Sequence, residues 1–190
     1  MNTKTKQLTK INGTTYAAFL LGINIGPHKR VSMGELKKMC ERMGFENVRT
    51  LLASGNVVFD AQKKNTSELA YELETKLKKK FGFEVCVIVR TMADIQKMID
   101  VNPFKKINVT RNTLRYVTFY TEQPREKVPT GQIQDKKGNP FRILSVSDDA
   151  VFSVRELGAS STPDMMTVLG KILGKKITTR NWNTIEKLVQ

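Results

Sequence analysis

Histidine and cysteine are scarce in this sequence. It contains one histidine, His28, and two cysteines, Cys40 and Cys86, that lack a Cys-x-x-Cys spacing. A metal site needs several histidine, cysteine or carboxylate ligands, and a catalytic triad needs a suitably placed histidine. The scarcity argues against zinc proteins, serine hydrolases and disulfide-stapled folds. We therefore expect two buried thiols, no metal site and no cofactor.

Long apolar runs are also missing. No stretch of the sequence approaches the ~20 apolar residues that a membrane-spanning helix requires. Residues 1–15 are polar and contain lysines, a composition that predicts a flexible tail and not a secretion signal. These features predict a soluble cytoplasmic protein without a membrane partner.

Acidic residues are few relative to basic ones. The chain has 32 lysines and arginines against 18 aspartates and glutamates, a net charge of +14. Residues 1–100 and residues 101–190 each carry +7, so no basic tail is present. Spread charge attracts anions, but it is weaker evidence for nucleic acid than a stripe on one face. The charge thus leaves open whether it serves an anionic partner or only solubility.

Hydrophobic periodicity predicts the order β-α-β-β-α-β in the first half. Ser32 and Glu35 have capping-box spacing, and Gly44 and Gly82 end the two helices. The predicted strands cover residues 16–21, 48–53, 57–59 and 83–89, and the predicted helices cover residues 33–43 and 67–81. This order is the split βαβ, or ferredoxin-like, arrangement. It predicts an antiparallel sheet in spatial order 4-1-3-2 with both helices on one face.

The second half also alternates strands and helices, which makes the chain an α+β protein. The predicted elements are a helix over 92–99, a strand over 114–120, a loop over 123–140, a hairpin of 141–146 with 150–154, and helices over 163–173 and 181–189. We expect a ferredoxin-like subdomain at 16–90 and a second α/β subdomain at 91–190, with the C-terminal helix packed on the whole. A degenerate duplication is open, although no sequence self-similarity demands it.

Two polar segments are predicted to meet at one edge of the first sheet. The first two strands run parallel, so the loop 22–30 and the turn 54–56 leave from the same edge. This convergence gathers five candidate ligand-binding residues at the start of a helix: Asn24, Lys29, Arg30, Ser54 and Asn56. Free amides at a helix start, glycines and basic side chains favour an anion. Alternatively, the glycines only shape the turn, since neither GxxxxGK[ST] nor GxGxxG is present.

Two signatures carry a resemblance to a known family. The run FLLGINIGPHKRVSMGELKKMCERMGFENVRTLLASGNVVF resembles the first signature of the bacterial family catalogued as domain of unknown function 1697, and TTRNWNT over 178–184 matches the second. The resemblance implies an α/β fold with ferredoxin-like parts and no established activity. Leu21 stands where this family usually has an arginine, and Pro27 where it often has a second glycine.

The C-terminal motif has a structural and a functional interpretation. Thr179 is a predicted helix N-cap, and Trp182 is expected to pack in the core. Arg180 and Asn181 could donate hydrogen bonds to a ligand or to a loop carbonyl. In the structural alternative, the helix only attaches the C-terminus to the sheet.

Three functional hypotheses follow from these features. The favoured one is binding of an anionic, phosphate-bearing small molecule or nucleotide at the loop 22–30 edge. The second is RNA or DNA binding on the sheet, although Phe19 and Phe59 are expected to be buried and the aromatic motif of such sheets is missing. The third is a metal-independent transferase or isomerase in which Lys29, Arg30 and Arg180 stabilise charge. The oligomeric state is not predicted.

Overall fold

The first half of the chain forms a four-stranded antiparallel sheet. A computed structural model describes residues 13–124, 126–157 and 164–190. The strands β1 (Gly13–Leu20), β2 (Glu46–Leu51), β3 (Asn56–Gln62) and β4 (Val87–Thr91) lie in the order β2-β3-β1-β4. This order agrees with the predicted 4-1-3-2 and is compatible with a ferredoxin-like arrangement. β1 begins three residues before its predicted start, and residues 1–12 of the predicted tail lie outside the described residues.

Two helices cover one face of this sheet, as predicted. They are α1 (Met33–Arg42), which follows β1, and α2 (Thr66–Phe81), which follows β3. Tyr16, Ala18 and Leu20 of β1 pack in the core on the helix side. Ala17 and Phe19 point to the other face and are just as buried. Because both faces are covered, the second half of β1 is apolar throughout.

The second half of the chain forms a five-stranded antiparallel sheet. α3 (Met92–Val101) leads to strands β5 (Thr113–Tyr120), β6 (Gly131–Gln134), β7 (Pro140–Val146), β8 (Ala150–Glu156) and β9 (Ile177–Asn181), which lie in the order β6-β7-β8-β5-β9. α4 (Met165–Leu173) covers the outer face, and α5 (Trp182–Glu186) directly follows β9. The described part of the chain is therefore an α+β structure with two antiparallel sheets and five helices.

Four strands of the second sheet repeat the spatial order of the first. β7, β8, β5 and β9 correspond to β2, β3, β1 and β4, and α4 joins β8 to β9 as α2 joins β3 to β4. β6 occupies the place in the chain that α1 has in the first half. The register agrees as well, because Arg90 lies opposite Ala17 and Arg180 lies opposite Val117. The two sheets thus share a common strand order and register, the pattern that a degenerate duplication predicts.

The two sheets share one apolar core. Phe19 of β1 stacks on Phe119 of β5 with ring centroids 4.6 Å apart. The Trp182 ring lies 5.1 Å from Phe104 and 6.1 Å from Phe152, so its predicted place in the core is confirmed. Face-to-face packing of the sheets fixes the positions of the loops that surround them.

Two predictions about local structure are wrong, that of a capping box at the start of α1 and that of a loop over residues 123–140. The Ser32 side chain makes no capping hydrogen bond, and the Glu35 carboxylate instead lies 2.9 Å from the Lys80 ammonium of α2. In a capping box, the Glu35 carboxylate would accept a hydrogen bond from the Ser32 backbone amide, whereas here it pairs with Lys80. The predicted loop 123–140 contains the strand β6, which is short and polar and pairs only with β7.

The C-terminal motif also begins differently from its prediction. Thr179 lies inside β9, where its hydroxyl is 2.8 Å from that of Thr118 on β5. Asn181 caps α5 instead, and α5 spans five residues, fewer than the predicted 181–189. Pairing with β5 provides partners for the backbone of residues 177–181, which the local sequence cannot reveal. The prediction of two buried thiols holds for Cys40 and is wrong for Cys86, whose side chain is only partly buried.

Candidate functional site

The loop 22–30 and the β2–β3 turn meet at one edge of the first sheet, as predicted. The Leu20 amide donates to the Gly55 carbonyl at 2.8 Å, and Asn24 Nδ2 donates to the Ala53 carbonyl at 2.8 Å. Gly55 has φ +77°, and a Cβ built on it would lie 2.6 Å from Ile23 Cδ1. Only glycine allows this close approach without strain.

The Asn24 side chain closes the loop on itself. Its Nδ2 also donates to the Val31 carbonyl at 3.0 Å, while its Oδ1 accepts from the Val31 amide at 2.9 Å. With the bond to Ala53, both N–H donors and the oxygen of this amide are used within the protein. The side chain thus fixes the path of the loop.

Arg180 is a buried hydrogen-bond hub between the two sheets. It donates through Nε to Asn56 Oδ1 at 2.6 Å and through Nη2 to the Leu20 and Ser54 carbonyls at 2.7 and 3.2 Å. Nη1 donates to Thr178 Oγ1 at 2.6 Å and to the Thr179 carbonyl at 3.0 Å. These five bonds match the five donors of a guanidinium, so no donor is left for a ligand.

Burial lowers the pKa of Arg180 to about 10, so the side chain remains charged at neutral pH. A charged group that is buried needs a full set of partners, and the loop carbonyls supply them. The guanidinium also lies over the Phe19 ring, 5.7 Å from its centroid. Each of these contacts favours a structural role over charge stabilisation in a reaction.

Of the remaining predicted residues, two hydrogen-bond to nearby residues and two extend into solvent. Ser54 Oγ accepts from Asn56 Nδ2 at 3.1 Å, and Asn181 Oδ1 accepts from the Asn183 amide at 2.9 Å. Lys29 is exposed and donates to the Glu84 carbonyl at 3.3 Å. Arg30 is exposed and has no hydrogen bond or ion pair within residues 13–124, 126–157 and 164–190. Of the seven predicted residues, Lys29 and Arg30 present a full charge to solvent.

Arg90 is the counterpart of Arg180 that sequence reasoning missed. It donates to the Tyr120 carbonyl at 2.6 Å and to the Asp149 carbonyl at 3.2 Å, and lies 5.5 Å from the Phe119 ring centroid. An ion pair with Asp149 at 2.8 Å offsets the burial that lowers its pKa. Arg90 could have been identified in the sequence from the similarity between VIVRTM at 87–92 and ITTRNW at 177–182.

A basic groove lies between α1 and α2, beside the predicted edge. Its volume is about 550 Å³, and its lining consists of Glu35, Lys38, Met39, Arg42, Met43, Lys76, Lys79 and Lys80. All five basic side chains are exposed, and Lys80 is paired with the one carboxylate, that of Glu35. The other four make no ion pair within 4.0 Å among the described residues. The α1–α2 groove is therefore a concave, positively charged surface.

The chain was compared with known proteins. The model of the family "Protein of unknown function (DUF1697)" matches residues 14–147. The chain belongs to this family. The match includes the whole first signature and ends before TTRNWNT. No curated protein matches the chain.

A solved structure extends the comparison to the whole fold. The conserved bacterial protein SP0830 from Streptococcus pneumoniae is 20% identical, with a TM-score of 0.65 over 93% of this chain and 97% of that one. The likeness supports the fold of both sheets, including the part beyond the family match. At this identity it shows nothing about activity.

The same described residues bear on three other kinds of site: a metal site, a membrane-spanning helix and an RNA-binding sheet. They contain no group of three or more histidine, cysteine or carboxylate side chains placed to hold a metal ion. No helix among them has the length and apolar character to cross a membrane. Phe19 and Phe59 of the first sheet are fully buried, as expected, under the second sheet and the helices, so neither ring is exposed for base stacking. The α1–α2 groove is thus the surface with the most distinctive chemistry.

Proposed function

We propose that this protein binds an anionic, phosphate-bearing ligand, a small molecule or a nucleotide, in the α1–α2 groove. The observation that carries the proposal is the set of four exposed cations that form no ion pair with the described residues and lie along one concave surface: Lys38, Arg42, Lys76 and Lys79. Like charges placed close together repel one another, and a bound anion relieves that repulsion. The walls of the groove also reduce screening by solvent.

The predicted loop edge supports this site from one end. The loop 22–30 leads into the start of α1, and its Lys29 reaches Glu84, which pairs at 2.9 Å with Lys78 of α2. Lys29 and Arg30 add two exposed cations on the loop that leads into α1. In this proposal Asn24, Asn56 and Arg180 hold the loop in position, and Ser54 and Asn181 complete the same framework.

Titration with ATP by calorimetry tests the proposal. Replacing Lys38 and Lys79 by alanine should weaken binding about tenfold, because each exposed ion pair contributes up to about 1 kcal/mol and 1.4 kcal/mol is a factor of ten. The matched control replaces Lys136 and Lys137, an exposed pair on the β6–β7 turn, and removes the same charge. Equal weakening by both variants, or tight binding of uncharged adenosine, would reject the groove as the site.

A further inference from the structure

We infer that the natural ligand of the α1–α2 groove is a single strand of nucleic acid, held by successive phosphates and without base preference. This inference rests on the proposed function and specifies its ligand. It differs from the sheet-face mode considered for the sequence, because the contact surface is a pair of helices.

The cations of the groove are arranged in rows and do not converge on a point. Lys38 and Arg42 lie one turn apart on α1, about 6 Å along the axis, and Lys76 and Lys79 lie nearly one turn apart on α2, about 4.5 Å along the axis. A site for one phosphate gathers its donors around one position. Two rows of separated charges fit a ligand whose negative charge is repeated along its length.

The length of the groove sets the number of phosphates. Glu35 and Arg42 mark its ends on α1, and seven residues of helix span ~10 Å. A stacked strand advances about 3.4 Å per nucleotide, so the groove holds three to four phosphates. Lys29 and Arg30 lie on the loop that leads into the start of α1, so a strand that continues past this end of the groove would meet them. One strand fills the groove, whereas a duplex meets it with only one of its two backbones.

The floor of the groove indicates weak discrimination between bases. Met39 and Met43 lie between the two rows, Met39 almost fully buried and Met43 partly. Their thioether chains are apolar and adaptable, and they offer a sugar or base a surface without hydrogen-bond donors. The described lining contains no aromatic ring on which bases could stack. Lysine heads suit phosphate as point charges and do not select a base.

Binding of fluorescent ten-nucleotide oligothymidylate and oligouridylate, measured by anisotropy over a range of salt, tests the inference. The ten-nucleotide strands should give a slope of log K against log salt of about −4, because three to four phosphates in the groove and two more at Lys29 and Arg30 each contribute about −0.7. Lys38→Ala with Lys79→Ala should reduce the slope to about −2.5, and Lys136→Ala with Lys137→Ala should leave it unchanged. Lys29→Ala with Arg30→Ala should weaken the ten-nucleotide strand but not a trinucleotide.

The outcomes separate this inference from the proposed function. ATP binding in the groove as tightly as either oligonucleotide overturns the inference and leaves the proposed function standing. Tighter binding of a ten-base-pair duplex than of the single strands also overturns it. If neither ATP nor an oligonucleotide binds, both fail. A slope that changes equally in the groove and control variants assigns the attraction to the overall charge of +14 and likewise overturns the inference.

Discussion

Arg180 is the residue whose role changed most between sequence and structure. In the sequence it was a candidate hydrogen-bond donor to a ligand or to a loop carbonyl. In the structure it is about 8% exposed and joins β9 to Leu20 and Ser54, which lie more than 120 positions earlier in the chain. No local pattern encodes partners at that separation. The motif could therefore identify the residue as special without showing whether it serves stability or binding.

Replacing Arg180 with alanine should lower the free energy of unfolding by about 3 kcal/mol, because the buried Leu20 carbonyl and Asn56 amide lose a charged donor. Urea denaturation measures the change. Lysine at this position should recover only part of it, since an ammonium cannot reach acceptors on three sides. ATP affinity of the folded variant should match wild type. A normal denaturation midpoint combined with lost ATP binding would place Arg180 in the ligand site.

Gly55→Ala should destabilise the protein by more than Gly44→Ala. Both glycines have positive φ, +77° and +85°, so each alanine carries a backbone strain of ~1–2 kcal/mol. At Gly55 the new methyl would also lie 2.6 Å from Ile23 Cδ1 and 2.9 Å from Leu20 Cβ, whereas at Gly44 no atom lies within 4 Å. Thermal denaturation of the two variants compares them. Equal losses would mean that the loop moves aside without cost.

At the scale of elements, the long amphipathic helices were predictable and the short strands were not. The four-residue spacing of Leu69, Leu73 and Leu77 located α2, and Gly82 ends it in a left-handed conformation. β6 and β9 have four and five residues, too few for a clear alternation. Their pairing with β7 and β5 decides their conformation, and pairing is not a local property.

The caps of α1 and α2 give a test at this scale. Asn65→Ala should cost about 1 kcal/mol, because its side chain accepts from the Ser67 amide at 2.8 Å. Ser32→Ala should change stability by less than half of that, since the Ser32 side chain makes no capping bond. Chemical denaturation of both variants provides the comparison. A larger loss at Ser32 would show that the predicted capping box forms in solution.

The whole molecule contains an internal repeat of strand order that has a faint counterpart in the sequence. YAAFL at 16–20 and YVTFY at 116–120 share the tyrosine and phenylalanine, and Phe19 and Phe119 meet in the core. One buried arginine of each half donates a hydrogen bond to a backbone carbonyl of the other half, Arg90 to Tyr120 and Arg180 to Leu20. The first half has α1 where the second half has β6, so the spacing between these motifs differs between the halves. A direct alignment of the two half-sequences therefore does not show the repeat.

This organisation places the α1–α2 groove in the first half. α1 and α2 together form its walls, and the second half has β6 in place of the first of these helices. The net charge is the same in residues 1–100 and 101–190, so composition could not locate the site. A concave basic surface arises only where two helices place their cations side by side.

Amide chemical-shift mapping of ATP binding tests the α1–α2 groove most directly. On addition of ATP, the largest shifts should fall on Lys38, Arg42, Lys76 and Lys79 and their neighbours, and they should shrink as salt is added. Adenosine, which lacks phosphate, should cause no comparable pattern. Shifts spread evenly over the basic residues of both halves, or confined to residues 22–24 and 54–56, would contradict binding in the groove.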